Sequence, residues 1–205
     1  MEKENKDSYY LINNLIRIIL IINIIPFVIK EDYMKIIYIL ITLVLTFYDV
    51  IVKKFLKIKL SNPLKYAILF QIITTEFLGS TIGFYDRFNW WDTFVHGMSG
   101  VMNFFLGLEL INKLNENLGK EKTHNVIQIL FAISFSLAIL GLWEIAEFII
   151  DEVTGLNMQI TQGLVGQEAI WDTIEDMIAA TIGTIVGTLM QTIALKQIKN
   201  KSKIS

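Results

Sequence analysis

Residues 126–150 read VIQILFAISFSLAILGLWEIAEFII, and this stretch decides the fold class. Residues 126–142 contain no acidic residue, and residues 11–29 (LINNLIRIILIINIIPFVI) form a second such run. A helix needs about 18–20 apolar residues to cross roughly 30 Å of hydrocarbon. The two runs therefore predict an integral membrane protein and argue against a soluble bundle with unusually apolar helices.

The composition of the whole chain supports this interpretation. Of 205 residues, 53% are hydrophobic and only 19% are charged, whereas about a quarter of a soluble domain is charged. The chain has no cysteine, which excludes disulfides and thiolate metal sites. The expected surroundings are the lipid bilayer, and no nucleic-acid partner is expected.

Apolar stretches separated by polar or charged turns predict an all-α, polytopic membrane bundle of about six transmembrane helices. We treat residues 1–205 as a single transmembrane domain. The predicted spans cover residues 11–29, 34–52, 64–84, 92–111, 126–150 and 169–195.

The distribution of basic residues predicts the orientation of these spans. With the N-terminus inside, 14 of the 18 Lys and Arg residues fall on the inner segments. The outer segments hold only Lys30, Lys35 and Arg87, and Arg17 lies within the first span. Because positive residues favour the cytoplasmic side, both termini are predicted to be cytoplasmic. The chain is thus predicted to be a multi-pass membrane protein.

The acidic residues show the opposite distribution. Ten of them map to the outer halves of the last three spans or to the adjoining loops. Carboxylates at this density repel one another, so the region requires a cation, shared protons or open water. The ten are Asp86, Asp92, Glu144, Glu147, Asp151, Glu152, Glu168, Asp172, Glu175 and Asp176.

Within this group the spacing places acids from three helices on inward-facing stripes. Asp92 and His96 are four residues apart and share one face. The other two spans carry acids at i, i+3 and i+7 and at i, i+3 and i+4. Oxygen and imidazole ligands suit a divalent cation such as Mg²⁺, Mn²⁺ or Zn²⁺. The predicted ligands are Asp92, His96, Glu144, Glu147, Asp172 and Asp176, and the predicted catalytic residues are His96, Glu144 and Glu147.

Simpler interpretations apply to several of these residues. Acids at helix ends can be solvated and can favour the helix dipole, as for Asp92 and Asp172. The tryptophans beside the acids fit an interfacial aromatic belt better than substrate stacking. Asp49, Glu109 and His124 are expected to be solvated near the inner side, while Glu76 is either part of the cluster or a structural hydrogen-bonding residue.

A stripe of small residues follows the last acid. Ala179, Gly183 and Gly187 recur every four residues, which lets another helix approach closely. The stripe is therefore expected to be packing that positions the acids.

Three motifs together resemble a known family. Trp91-Asp92-x-x-x-His96, Trp143-Glu144-x-x-Glu147 and Asp172-Thr173-x-x-Asp176 resemble the YjdF-like bacterial inner-membrane proteins and, more remotely, the VanZ-like family. The resemblance covers about residues 86–188 and implies a role for the acids and His96 in these motifs. VanZ-like proteins are associated with glycopeptide resistance at the cell envelope. The chain departs from the VanZ-like pattern at Thr93, Glu147 and Ala180, and these changes put a shared substrate in doubt.

Three functions are consistent with these observations. We favour a metal-assisted hydrolase or transferase that acts on a lipid or lipid-linked phosphate in the outer leaflet. A non-enzymatic permease or cation-binding protein is the first alternative, with Glu76 extending a polar path. An envelope-resistance protein without turnover, its acids forming a hydrogen-bonded lattice, is the second.

Overall fold

The computed structural model describes residues 2–55, 57–119, 123–155, 157–159 and 164–201, and no strand occurs among them. The all-α prediction is confirmed. A π-helical segment, Ile73–Thr81, follows α4, and a short 3₁₀ turn, Glu168–Ile170, precedes α8. The helices are α1 (Glu2–Ile29), α2 (Tyr33–Leu45), α3 (Tyr48–Phe55), α4 (Asn62–Ile72), α5 (Phe84–Arg87), α6 (Trp91–Asn117), α7 (Asn125–Thr154) and α8 (Trp171–Lys201).

Four segments of these helices are long and apolar enough to cross a membrane: Ser8–Ile29, Trp91–Asn117, Asn125–Thr154 and Trp171–Asn200. The bent pair α2 and α3 adds a fifth if it forms one span. The structure therefore supports four or five candidate spans. The predicted span 64–84 is divided between α4, of 11 residues, and the π-helical segment, of nine.

The predicted span 34–52 is broken rather than straight. The axes of α2 and α3 differ by 47°. Thr42 donates its hydroxyl to the Tyr38 carbonyl, and Thr46 donates to the Leu43 carbonyl. Such bonds from a hydroxyl back to the preceding turn compete with the helical ladder and bend helices.

The chain divides into two compact units, Met1–Val95 and His96–Ser205. In the first unit, polar side chains of α1 hold the break between α2 and α3. We name this group the clamp: Tyr9, Asn13, Arg17, Thr46 and Tyr48.

The backbone carbonyl of Thr46 is the centre of the clamp. It accepts one hydrogen bond from Asn13 Nδ2 (3.0 Å) and one from Arg17 Nη2 (2.8 Å). Arg17 Nε also donates to Thr46 Oγ1 (2.9 Å), and the guanidinium lies 3.7 Å from the centroid of the Phe47 ring. Tyr9 donates to the Tyr48 hydroxyl (3.0 Å). An unsatisfied backbone group within a bilayer costs several kcal/mol of free energy. The hydrogen bonds from Asn13 and Arg17 avoid this cost for the Thr46 carbonyl at the break.

The second unit depends on close contact between α6 and α8. A Cβ added at Gly183 would meet the carbonyl oxygen of Gly97, and one at Gly100 would meet the backbone of Ala180. A Cβ at Gly187 would meet the Phe104 side chain. The small-residue stripe was predicted to allow close helix packing, and this prediction is confirmed.

A hydroxyl on α7 joins this helix pair. Ser136 donates to the Gly100 carbonyl (3.1 Å) and shares a hydrogen bond with Thr184 (2.7 Å). Further along, Phe104, Leu108 and Ala132 form a buried apolar core between α6 and α7. The three helices of this unit are thereby fixed in register.

Candidate functional site

Three helices of the second unit bring a histidine and two acids together. His96 and Asp176 each lie five residues after the start of their helices, and Glu144 lies ten residues before the end of α7. At 1.5 Å per residue, these positions are about 7.5 Å and about 15 Å inside the helix ends. The side chains are buried, with exposed fractions of 5% for His96, 6% for Glu144 and 2% for Asp176. We refer to these three residues as the acid–histidine cluster.

The imidazole of His96 lies between the two carboxylates. His96 Nδ1 is 3.9 Å from Glu144 Oε1, and His96 Nε2 is 3.7 Å from Asp176 Oδ2. Both distances exceed the range of an N–H···O hydrogen bond, which ends near 3.2 Å. The two ring nitrogens therefore face different acids, on α7 and on α8.

Asp92 approaches His96 along α6 itself. It lies one turn before His96, and a ring nitrogen of His96 is within 4.8 Å of a carboxylate oxygen of Asp92 and of one of Asp176. Residues at this spacing could hold a metal ion, because each offers one ligand atom.

Glu147 and Asp172 were also predicted as site residues, and each has its own surroundings. Glu147 is buried (7% exposed) and accepts a hydrogen bond from Trp143 Nε1 at 2.7 Å. Asp172 lies one turn before Asp176 on α8 and is half-buried. Its Oδ2 atom is buried and has no hydrogen-bond partner in the described part of the chain.

The chain that follows α7 folds back toward this region. The helix ends at Thr154, and the next residue, the C-cap Gly155, has the left-handed conformation (φ 72°) that glycine adopts without strain. The carboxylate of Asp151 then accepts from the backbone N–H groups of Met158 (2.8 Å) and Gln159 (3.0 Å). The Gln159 amide donates to Thr173 Oγ1 (3.0 Å) and to the carbonyl oxygen of Glu144 (3.4 Å). Gln159 was not predicted as a site residue, because residue spacing does not show that a loop returns to the helices.

Several expectations for individual side chains can be compared with the structure. Asp49 was predicted to be solvated, and this was wrong, because it is only 7% exposed beside the α2–α3 break. His124 is exposed, as predicted, and its ring accepts the Val126 N–H at the start of α7. Trp90, Trp143 and Trp171 are exposed, as expected for a belt, whereas Trp91 is 7% exposed and donates to the Thr74 carbonyl.

The chain matches the family described as "Predicted membrane protein (DUF2238)" over residues 12–197. It therefore belongs to this family. The resemblance to YjdF-like proteins is confirmed, since they are this family, and the more remote resemblance to VanZ-like proteins is not supported. Neither the comparison with curated proteins nor the one with solved structures finds a match.

Proposed function

We propose that this DUF2238 protein binds a divalent cation at the acid–histidine cluster and uses it to hydrolyse or transfer a lipid-linked phosphate. The observation that carries the proposal is the position of His96 between Glu144 and Asp176, on three helices, with neither pair at hydrogen-bond distance. Two ligands held about 2.1 Å from one tetrahedral ion are about 3.4 Å apart. The 3.7 Å between His96 Nε2 and Asp176 Oδ2 is close to this separation.

The two nitrogens of the His96 imidazole face different acids, and we propose a different role for the acid on each side. Its two nitrogens point in different directions, so only one of them can bind a given ion. We assign Nε2, with Asp176 and Asp92, to the cation. Nδ1 then faces Glu144, and a carboxylate in that position orients a ligating histidine and increases its basicity. Glu144 is thus proposed as the orienting residue, and Asp172 and Glu147 are proposed as further ligands or acid–base groups.

A cation in this site supplies a specific chemistry. It lowers the pKa of a bound water and polarises a phosphoryl oxygen. In hydrolysis, a water oxygen forms the new bond to phosphorus, the bond from phosphorus to the leaving oxygen breaks, and the proton lost by the water passes to the leaving oxygen. Glu147, one turn beyond Glu144, is the proposed proton carrier. We place the site in the outer leaflet of the bacterial cytoplasmic membrane, with six spans and both termini cytoplasmic, because the basic residues favour that orientation.

Metal binding is tested on purified protein stripped with EDTA and titrated with Zn²⁺, Mn²⁺ or Mg²⁺. We expect about one bound ion, with His96→Ala and Asp176→Asn each weakening the affinity by about 100-fold or more, and Glu144→Gln by about 10-fold. His124→Asn is the matched control, because it removes the other histidine and keeps a good helix cap. Wild-type metal content in both His96→Ala and Glu147→Gln would exclude the metal site.

Turnover is tested separately, with a polyprenyl diphosphate and a phosphatidic acid in micelles. Phosphate release should require the metal and fall by about 100-fold or more in Glu147→Gln. No release from either lipid by metal-loaded protein would leave a cation-binding protein without this activity.

One observation favours a second candidate, a cation permease. Glu76 lies half-buried in the π-helical segment Ile73–Thr81, and π-helical turns occur frequently at functional sites. Cation uptake into proteoliposomes should then fall in Glu76→Gln and be unchanged in the exposed control Glu116→Gln. Equal flux in both variants would contradict the permease.

A further inference from the structure

We propose that Asp151 and Gln159 form a latch that holds residues 157–159 over the acid–histidine cluster and controls the access of water-soluble reagents to it. The proposal rests on the proposed function only in assuming that the cluster is a functional site to which access matters. The contacts that carry it are independent of any metal.

The first part of the latch is Asp151, on α7. The Asp151 carboxylate binds two consecutive backbone N–H groups, of Met158 and Gln159, at 2.8 and 3.0 Å. Because a carboxylate is charged, these bonds are stronger than ordinary neutral ones. They turn the chain back along the helix it has just left.

Gln159 then reaches the helix pair that carries the acids. Its side-chain amide contacts the carbonyl of Glu144, two turns before Asp151, and the hydroxyl of Thr173 on α8. Glu144 belongs to the cluster, and Thr173 lies beside Asp172 and three residues before Asp176. One amide group therefore bridges α7 and α8 at the level of the cluster.

The exposure of the loop agrees with this arrangement. Met158 and Gln159 are half-buried, whereas residues 164–168 and the end of α7 at 152–155 are exposed. In the proposed arrangement, this half-buried segment excludes bulk water from the cluster. Exclusion of water strengthens the electrostatic interactions within such a site.

The natural absence of cysteine permits a direct test by labelling. Asp176→Cys introduces a single thiol at the buried position of the cluster, and Glu152→Cys introduces one at an exposed position. Protein in lipid nanodiscs is treated with a cationic methanethiosulfonate, which can reach both faces of the bilayer. The labelling rate of each cysteine is measured, first with Gln159 intact and then in proteins that also carry Gln159→Glu or Gln159→Ala. Gln159→Glu keeps the volume of the side chain and removes its N–H donors.

We expect slow labelling of Asp176→Cys with the latch intact and an increase of about tenfold or more with either Gln159 substitution. The rate at Glu152→Cys should not change. Asp172→Cys is a second reporter, for use if Asp176→Cys does not fold. Equal rates with and without Gln159, whether fast or slow, would overturn the latch.

This outcome is separable from the proposed function. Loss of metal binding in the His96 variants leaves the labelling rates as evidence for or against the latch. Conversely, unchanged labelling with normal metal binding would overturn the latch alone.

Discussion

The clamp and the acid–histidine cluster both bury polar side chains among apolar helices, yet their geometry differs. In the clamp, the bonds to Thr46 are 2.8–3.0 Å long, and the donors are amide and guanidinium groups that meet neutral acceptors. In the cluster, the measured pairs are 3.7 and 3.9 Å apart, and two of the three residues are acids. The clamp satisfies the backbone at the break, whereas the proposed role of the cluster is to bind a cation. Buried polarity in the two units therefore indicates different purposes.

The largest effect on the free energy of unfolding is expected at the contact between α6 and α8, which positions the cluster, rather than in the cluster itself. Gly183→Ala places a methyl group against the backbone carbonyl of Gly97, which cannot move aside. Overpacking of this kind costs about 3 kcal/mol in the free energy of unfolding. The measurement is SDS-induced unfolding in mixed micelles, followed by tryptophan fluorescence.

Gly141→Ala is the matched control for this substitution. It lies in α7 with nothing within 4 Å of the added Cβ. It should be neutral or stabilising by up to about 1 kcal/mol, since alanine is the better helix former. If the two variants unfold alike, the close packing of α6 on α8 does not position the cluster.

The next largest effect is expected in the clamp. Thr46→Val keeps the shape of the side chain but removes the oxygen that accepts from Arg17 Nε. A charged donor left without its partner should lower the free energy of unfolding by about 2 kcal/mol. The control is Thr192→Val, because the Thr192 hydroxyl donates only to the Thr188 carbonyl one turn earlier among its described bonds. This substitution should change the free energy of unfolding by less than about 0.5 kcal/mol. Metal affinity should be unchanged in both variants. If Thr46→Val unfolds with the free energy of the wild type, the clamp does not stabilise the fold and the contrast with the cluster is lost.

The smallest effect on stability is expected in the cluster itself. Glu144→Gln preserves the shape and removes one negative charge facing His96. In metal-free buffer its free energy of unfolding should lie within about 0.5 kcal/mol of the wild type, because lost repulsion offsets lost interactions. A loss above about 2 kcal/mol would instead make the cluster a structural lattice, as the clamp is.

The two regions also differ in how far the sequence predicts them. His96 lies one turn after Asp92 on one long apolar helix, and Glu144 and Asp176 lie on two others. These residues and the stripe from Ala179 to Gly187 could therefore be identified from periodicity and from the cost of burying charged groups. The clamp was missed because its centre is the backbone carbonyl of Thr46, and no side-chain pattern marks a broken span. Asp49 was misassigned for the same reason, since a straight helix would have placed it near the inner surface. The latch was missed because Gln159 acts through a loop that reverses direction, and spacing along a helix carries no information about such a loop.

The backbone contact between Gly97 and Gly183 limits how the second unit can rearrange. No rotamer change can absorb a displacement there, because the contacting atoms belong to the backbones of the two helices that carry His96 and Asp176. Near Gly107, α7 is packed tightly against α6 through Ala132 and Phe135, whereas Gly141 has open space around it. The contact between α6 and α7 is therefore close at Ala132 and Phe135, whereas Gly141, three residues before Glu144, leaves room for a larger side chain.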